Sequence, residues 1–159
     1  MVKTINNIFK IARTEANLTQ EVACFKLGIK EVGTLSRYEN DVIIPSDEIV
    51  NKMVNHYHAK WLGYAYLQQY TKVGRDVLPP LTLEDLGLSV LKFQKEFTDI
   101  KKIQPDIIEI ACDGIVGQDE AIRWDGTMKE IKDLISASIS LLLKKERPSQ
   151  ECNLERATV

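Results

Sequence analysis

The sequence predicts an all-α protein, and three observations carry that prediction. Apolar residues recur at steps of three and four along nearly the whole chain, the period of one helix face. Helix start and stop signals recur with them, as at Thr19, Gly28 and Pro45-Ser46-Asp47-Glu48. The clearest break is GRDVLPP, Gly74 to Pro80, where two successive prolines bias the residues before them toward extended backbone.

In the first helix, Ile5, Ile8, Phe9 and Ala12 form an apolar stripe that ends by Asn17. Thr19 caps a second helix, Gln20 to Leu27, and Gly28 stops it in a position suited to left-handed backbone. The third runs from about Glu31 to Tyr38. Within this pair the inward positions are Val22, Ala23, Leu27, Ile29 and Leu35, and the outward ones are expected to be polar. Ser46 caps a fourth helix whose first turn is acidic and whose apolar face is Ile49, Val50, Met53, Val54 and Tyr57. A fifth carries Trp61, Leu62, Tyr64, Ala65 and Leu67. Beyond the prolines, Thr82 is expected to cap a helix bearing Leu83, Leu86, Val90, Phe93, Phe97 and Ile100, and Pro105 to open a short one, PDIIEIA. The last spans about Asp119 to Glu146, with Trp124, Met128, Ile131, Ile135, Ser138 and Leu142 in step. The expected organisation is an N-terminal domain over 1–75, a linker over 76–81, a C-terminal helical domain over 82–147 and a disordered tail over 148–159. The apolar face of the last helix is too broad for two shorter neighbours to cover. A homodimer is therefore expected.

With 159 residues, 44% apolar and 28% charged, the composition is that of a soluble globular chain, and a cytoplasmic location is expected. No apolar run approaches the roughly 20 residues of a membrane span, and the N-terminus has no secretion-signal pattern. Cys24, Cys112 and Cys152 are odd in number and widely spaced, which argues against a disulfide frame or a zinc site. Up to Arg75 the chain has 10 Lys/Arg and 7 Asp/Glu, and beyond it 11 and 16. The charge of −2 is thus a front half at +3 and a rear half at −5, which places any anionic partner at the front.

Two eight-residue helices are each marginal in water, yet here they are set head to tail in LTQEVACFKLGIKEVGTLSRYEN. Around a Gly-containing turn, such a pair can lay the first helix over a DNA backbone and put the second in the major groove. Arg13, Leu18-Thr19-Gln20, Gly28 and Thr34 to Asn40 (TLSRYEN) resemble, in that order, the lambda-repressor/Cro-like helix-turn-helix regulators of phage and prophage type. The resemblance covers about 70 residues. Cys24 stands where a small Ala is usual, Asp41 follows YEN in place of Gly, and GIKEVGT is one residue longer than typical. The rear half is similar to a helical region found after this motif in bacterial and prophage-like regulators.

The resemblance implies a five-helix DNA-binding domain and double-stranded DNA as partner. It implies that Gln20 reaches a phosphate or base edge at the start of the second helix, that Thr19 presents its backbone N–H to a phosphate, and that Lys30, Glu31, Thr34 and Arg37 enter the groove. Ser36, Tyr38 and Asn40 would touch phosphates, and Arg13 and Glu39 would form a buried ion pair. The expected activity is sequence-specific transcription regulation, most naturally repression, at an inverted-repeat operator. The alternative is a protein-interaction factor, an antitoxin or antirepressor, with the helix-turn-helix as scaffold.

Competing signals are weaker. Counting Asp113 as position five of a calcium loop puts Gly114 at six and Glu120 at twelve, but positions one and three are then Glu109 and Ala111. A helix-connecting turn stopped by Gly114 is the better reading. His56 and His58, two apart on a helix, do not face one site. No metal, cofactor or catalytic constellation is expected.

Overall fold

The computed structural model describes residues 7–144. Ile5, the end of the predicted last helix, Cys152 and the predicted tail lie wholly or partly outside them. The described residues are all helical in their regular structure: α1 Ile8–Glu15, α2 Gln20–Leu27, α3 Val32–Glu39, α4 Asp47–Tyr57, α5 Lys60–Tyr70, α6 Lys72–Val77, α7 Leu86–Ala111 and α8 Ala121–Leu142.

The first five helices converge on one core. Phe9, Leu27, Leu35, Met53, Tyr57 and Leu62 are fully buried there, around Ala12, Ala23 and Ala65, whose small side chains let the helices approach closely. Each large side chain removed from water contributes roughly 1.5–3 kcal/mol, and this shared burial holds helices too short to persist alone. Local signals then set the ends. The Asn7 side-chain oxygen accepts from the backbone N–H of Phe9 and Lys10 and starts α1. Thr19 caps α2 by accepting from Val22 N–H, and Gly28 ends it with φ of 70°, a left-handed conformation that glycine adopts without a Cβ penalty. Asn17, Asp41 and His58 also have positive φ, three turns that a search for glycine alone does not find.

The connection to the rear half differs from the extended segment predicted over GRDVLPP. Residues Lys72–Val77 form α6, capped by the Thr71 hydroxyl, which accepts from Gly74 N–H. Gly74 is buried against the end of α5, where a Cβ would come within 1.8 Å of the Leu67 carbonyl oxygen. Extended backbone therefore begins only at Leu78. Proline leaves its carbonyl as the sole hydrogen-bonding group of the backbone, and both prolines use it. The Tyr64 hydroxyl donates to the Pro79 carbonyl at 2.7 Å and the Ser136 hydroxyl to the Pro80 carbonyl at 2.6 Å. One proline is thus bound to α5 and the next to α8.

Thr82 does not cap α7. Its N–H donates to Ser140 Oγ at 3.2 Å, which docks the connector on α8. The cap is Asp85, accepting from Leu88 N–H, so Leu83 precedes the helix. Nor does Pro105 open a new helix: α7 runs unbroken through it for 26 residues. A proline removes one hydrogen bond but only bends a helix that packing holds on both sides, and α7 lies against α8 along its length. Thr82 meets Ser140 near one end of the pair while Arg123 bonds Asp106 and Glu109 near the other. The two helices are antiparallel.

Candidate nucleic-acid interface

The α2–turn–α3 unit is set in place by a buried polar cluster. The Arg13 guanidinium donates to both Glu39 carboxylate oxygens, at 2.6 and 2.9 Å, and to the Leu18 carbonyl at 2.7 Å. The bidentate fork matches the carboxylate plane, and Glu39 beside it raises the Arg13 pKa further. Arg13 lies on α1, Glu39 ends α3, and Leu18 begins the turn into α2, so the pair ties the three together. The predicted ion pair is present.

Gln20 belongs to the same cluster. Its side-chain amide donates to Glu39 Oε2 at 2.9 Å, a bond that the sequence did not announce. Glu39 thus accepts from α1 and α2 together, and it holds Gln20 at the α2 N-terminus with its carbonyl oxygen left for a further donor. Cys24 and Tyr57 line the same region. Burial pushes the Cys24 thiol up, away from reactive thiolate. The Tyr57 hydroxyl is buried with no hydrogen-bond partner among the described residues, and burial pushes its ionisation far above the usual range.

On the far side of α3 the surface is polar. Leu35 and Glu39 point into the core; at about 100° per residue, Gly33 and Arg37 fall on the opposite side, and both are exposed. Thr34 and Ser36 flank them, half-buried. Lys30 is exposed in the turn, and Glu31 sits exposed at the N-cap of α3 with no side-chain cap bond. Lys30, Thr34 and Arg37, stepping by four and three, fall toward one side, and Glu31 stands at the start of the helix one turn before Leu35. Ser36, Tyr38 and Asn40 are less free. The Asn40 amide donates to the Ser36 carbonyl at 2.7 Å and lies 3.3 Å from the Ser36 hydroxyl, and the Tyr38 ring packs on the core.

Thr19 is exposed at the start of α2, where unpaired N–H groups favour anions. Glu21 stands in the same turn, and its own backbone N–H and the Thr19 hydroxyl hold its carboxyl below the ordinary value. A fixed negative charge therefore shares that helix end with any phosphate.

Two expectations about this unit are corrected. Val22 does not point inward but is exposed, and the outer face of α2 is not uniformly polar, because Phe25 is 88% exposed. Cys24 takes the inward place instead. The wheel of an eight-residue helix leaves its register ambiguous, and the packing of Ala23 and Leu27 against α3 and α4 resolves it. Val42 and Ile44, exposed on the loop after α3, were not read from the sequence at all. That loop folds back on α3, with the Val42 N–H donating to the Arg37 carbonyl at 2.9 Å.

Carboxylates elsewhere are engaged locally. In the α7–α8 connection, Asp113 accepts from Ile115 N–H and Glu120 from Gly117 N–H, and Gly114 has φ of 77°, the hydrogen-bonding of a turn. Glu96, Glu130 and Asp133 come within 4.8 Å of one another on α7 and α8. Glu96 and Glu130 are half-buried and Asp133 is exposed, and Glu96 pairs with Lys95.

A core of five short helices, with two of them joined by a glycine turn and clamped by a buried ion pair, defines a helix-turn-helix domain, a fold used by DNA-binding regulators. Residues 9–60 match the family model described as helix-turn-helix, which includes all of α1 to α4 but Ile8 and stops at the first residue of α5. No curated protein and no solved structure matches the chain. No helix among the described residues is long and apolar enough to cross a membrane.

Proposed function

We propose that the protein is a sequence-specific DNA-binding transcription regulator, a repressor by operator occupancy, working as a homodimer on an inverted repeat. The observation that carries this reading is the outer side of the turn and α3, where Lys30 and Glu31 precede the helix and Thr34 and Arg37 lie on it, α3 being clamped from behind by Arg13 and Glu39. On this reading α3 enters the major groove. Arg37 reads guanine, Thr34 meets a thymine methyl and Glu31 accepts from a cytosine amino group. Thr19, the remaining amide N–H of Gln20, Ser36, Tyr38 and Asn40 are assigned to the flanking phosphates. Residues 1–75 bind DNA and residues 82–147 pair the copies, joined through 76–81. Two-fold pairing sets the two α3 helices about 34 Å apart, one turn of DNA.

Selection from a random duplex library, followed by anisotropy titration of the recovered sites, tests the reading. The expected result is an inverted repeat with half-sites about 10 base pairs apart, against which Arg37→Ala loses about 1–3 kcal/mol of discrimination at one base pair while staying folded. No enrichment, or equal affinity for selected and scrambled duplexes, rejects it in favour of the scaffold role.

A further inference from the structure

The α7–α8 hairpin is less complete than the domain in front of it. Along 26 and 22 residues, the hydrophobic side chains it buries fully are Ile110 and Ala137, with Ser89, Thr127 and Ser140 as the buried polar groups. Phe93, Ile103, Ile107, Ile131 and Leu134 line the seam half-buried, Leu88, Leu91 and Ile122 are exposed on other sides, and a further set is grouped on one side. On α7, Leu86, Val90 and Phe97 fall about 100° around the helix from the line that faces α8, and on α8 Met128, Ile135 and Leu142 fall about 100° from the line that faces α7, both in the same rotational sense. In an antiparallel pair, equal turns in one sense bring both stripes to the same side. The hairpin therefore has a continuous apolar face built by both helices, on which Leu142 is 81%, Leu86 58%, Phe97 43% and Ile135 42% exposed.

Charge is arranged in the opposite way. The ion pairs Lys95–Asp99, Lys102–Asp99 and Arg123–Asp106 lie toward the other side of the hairpin. Charge on the apolar side is confined to its rim: Lys101 on α7, whose ammonium lies 4.6 Å over the Phe97 ring, and Lys132 on α8, exposed four residues after Met128. A face whose charges stand at its rim can meet its own copy with those charges left in water.

We infer that this face is covered by the same face of a second copy of the chain, the two hairpins closing into a four-helix bundle about a two-fold axis. The footprint, roughly 33 by 20 Å for two helices of this length, is close to the ~800 Å² that each partner gives to a standard interface. The stripes, stepping by three and four, suit knobs-into-holes packing of such bundles. A two-fold bundle is self-complementary, which fits two copies of one helix-turn-helix on a two-fold operator. The inference thus names the partner surface of the dimer proposed above.

Sedimentation equilibrium of the full chain without DNA tests it separately from DNA binding. The expected mass is twice 18.1 kDa. Leu142→Glu and Ile135→Glu are expected to weaken association about a hundredfold or more, since each buries a charge at the interface. Lys129→Glu, on the polar side, leaves the mass doubled. Leu142 is exposed in the single chain, so its substitution spares the fold, and helical circular dichroism checks this. A single-chain mass for the unsubstituted protein, as a different partner protein would require, overturns the inference. So does a doubled mass that survives both glutamates. A monomer that still selects a DNA site would reject this face and leave the DNA reading intact; a dimer that selects none would do the reverse.

Discussion

Tyr57 is a core residue with an unused polar atom. Its ring fills the space between α1, α2 and α4, yet its hydroxyl has no partner among the described residues, and an unpaired buried hydroxyl costs about 1–3 kcal/mol. Tyr57→Phe is therefore expected to hold or raise stability, by up to about 1–2 kcal/mol in urea unfolding. The same burial gives a pH dependence. The folded pKa is raised above the unfolded value of 10.0, so the tyrosine's contribution is fully present below pH 10 and is lost as pH rises above it. Alkaline unfolding should begin near there, with a shallower slope in Tyr57→Phe. Arg13→Ala is the contrasting case, since it leaves Glu39 charged and buried, and a loss of about 3–5 kcal/mol is expected. Glu39→Gln tests the second role of that residue by loosening Gln20 as well. The Arg13–Glu39 pair was legible in the sequence because its two ends match a known pattern. The Gln20 link was not, because nothing local distinguishes a glutamine bonded to a carboxylate 19 residues away from one facing solvent.

The helices divide between those that local chemistry marks and those that only contact defines. Thr19, Gly28 and the Pro45-Ser46-Asp47-Glu48 start sit where capping rules put them, although Ser46 occupies its cap position without a side-chain bond. Residue α6 bounds were not legible, because a glycine followed within six residues by two prolines reads as a breaker. The close approach of Gly74 to Leu67 makes it a packing residue. Gly74→Ala should thus cost about 2 kcal/mol or more through displaced backbone, even though alanine favours helix elsewhere. Thermal unfolding of that variant measures it. Pro105 misled in the opposite direction. Pro105→Ala restores the missing hydrogen bond within α7, and stability is expected to rise by up to about 3 kcal/mol.

At the scale of the molecule the chain combines a mildly basic front with an acidic rear, and the proposed contact with DNA should show itself through salt. Operator affinity is expected to fall steeply with ionic strength, and Lys30→Ala to reduce the slope of log affinity against log salt by about 0.9 if Lys30 neutralises one phosphate; an unchanged slope removes Lys30 from the backbone contacts. The Tyr64–Pro79, Ser136–Pro80 and Thr82–Ser140 bonds join the hairpin to the domain, so the position of one bears on the other. By itself the sequence determined the helical class, the order of the first five helices, and the face of α3 that is polar, since hydrophobic period and end-capping act within a few residues. Tertiary structure alone decided the register of α2, the burial of Gly74, the unbroken course of α7 and the side of the hairpin left apolar. Those depend on which distant surfaces meet, and a chain read locally has no means of weighing one distant contact against another.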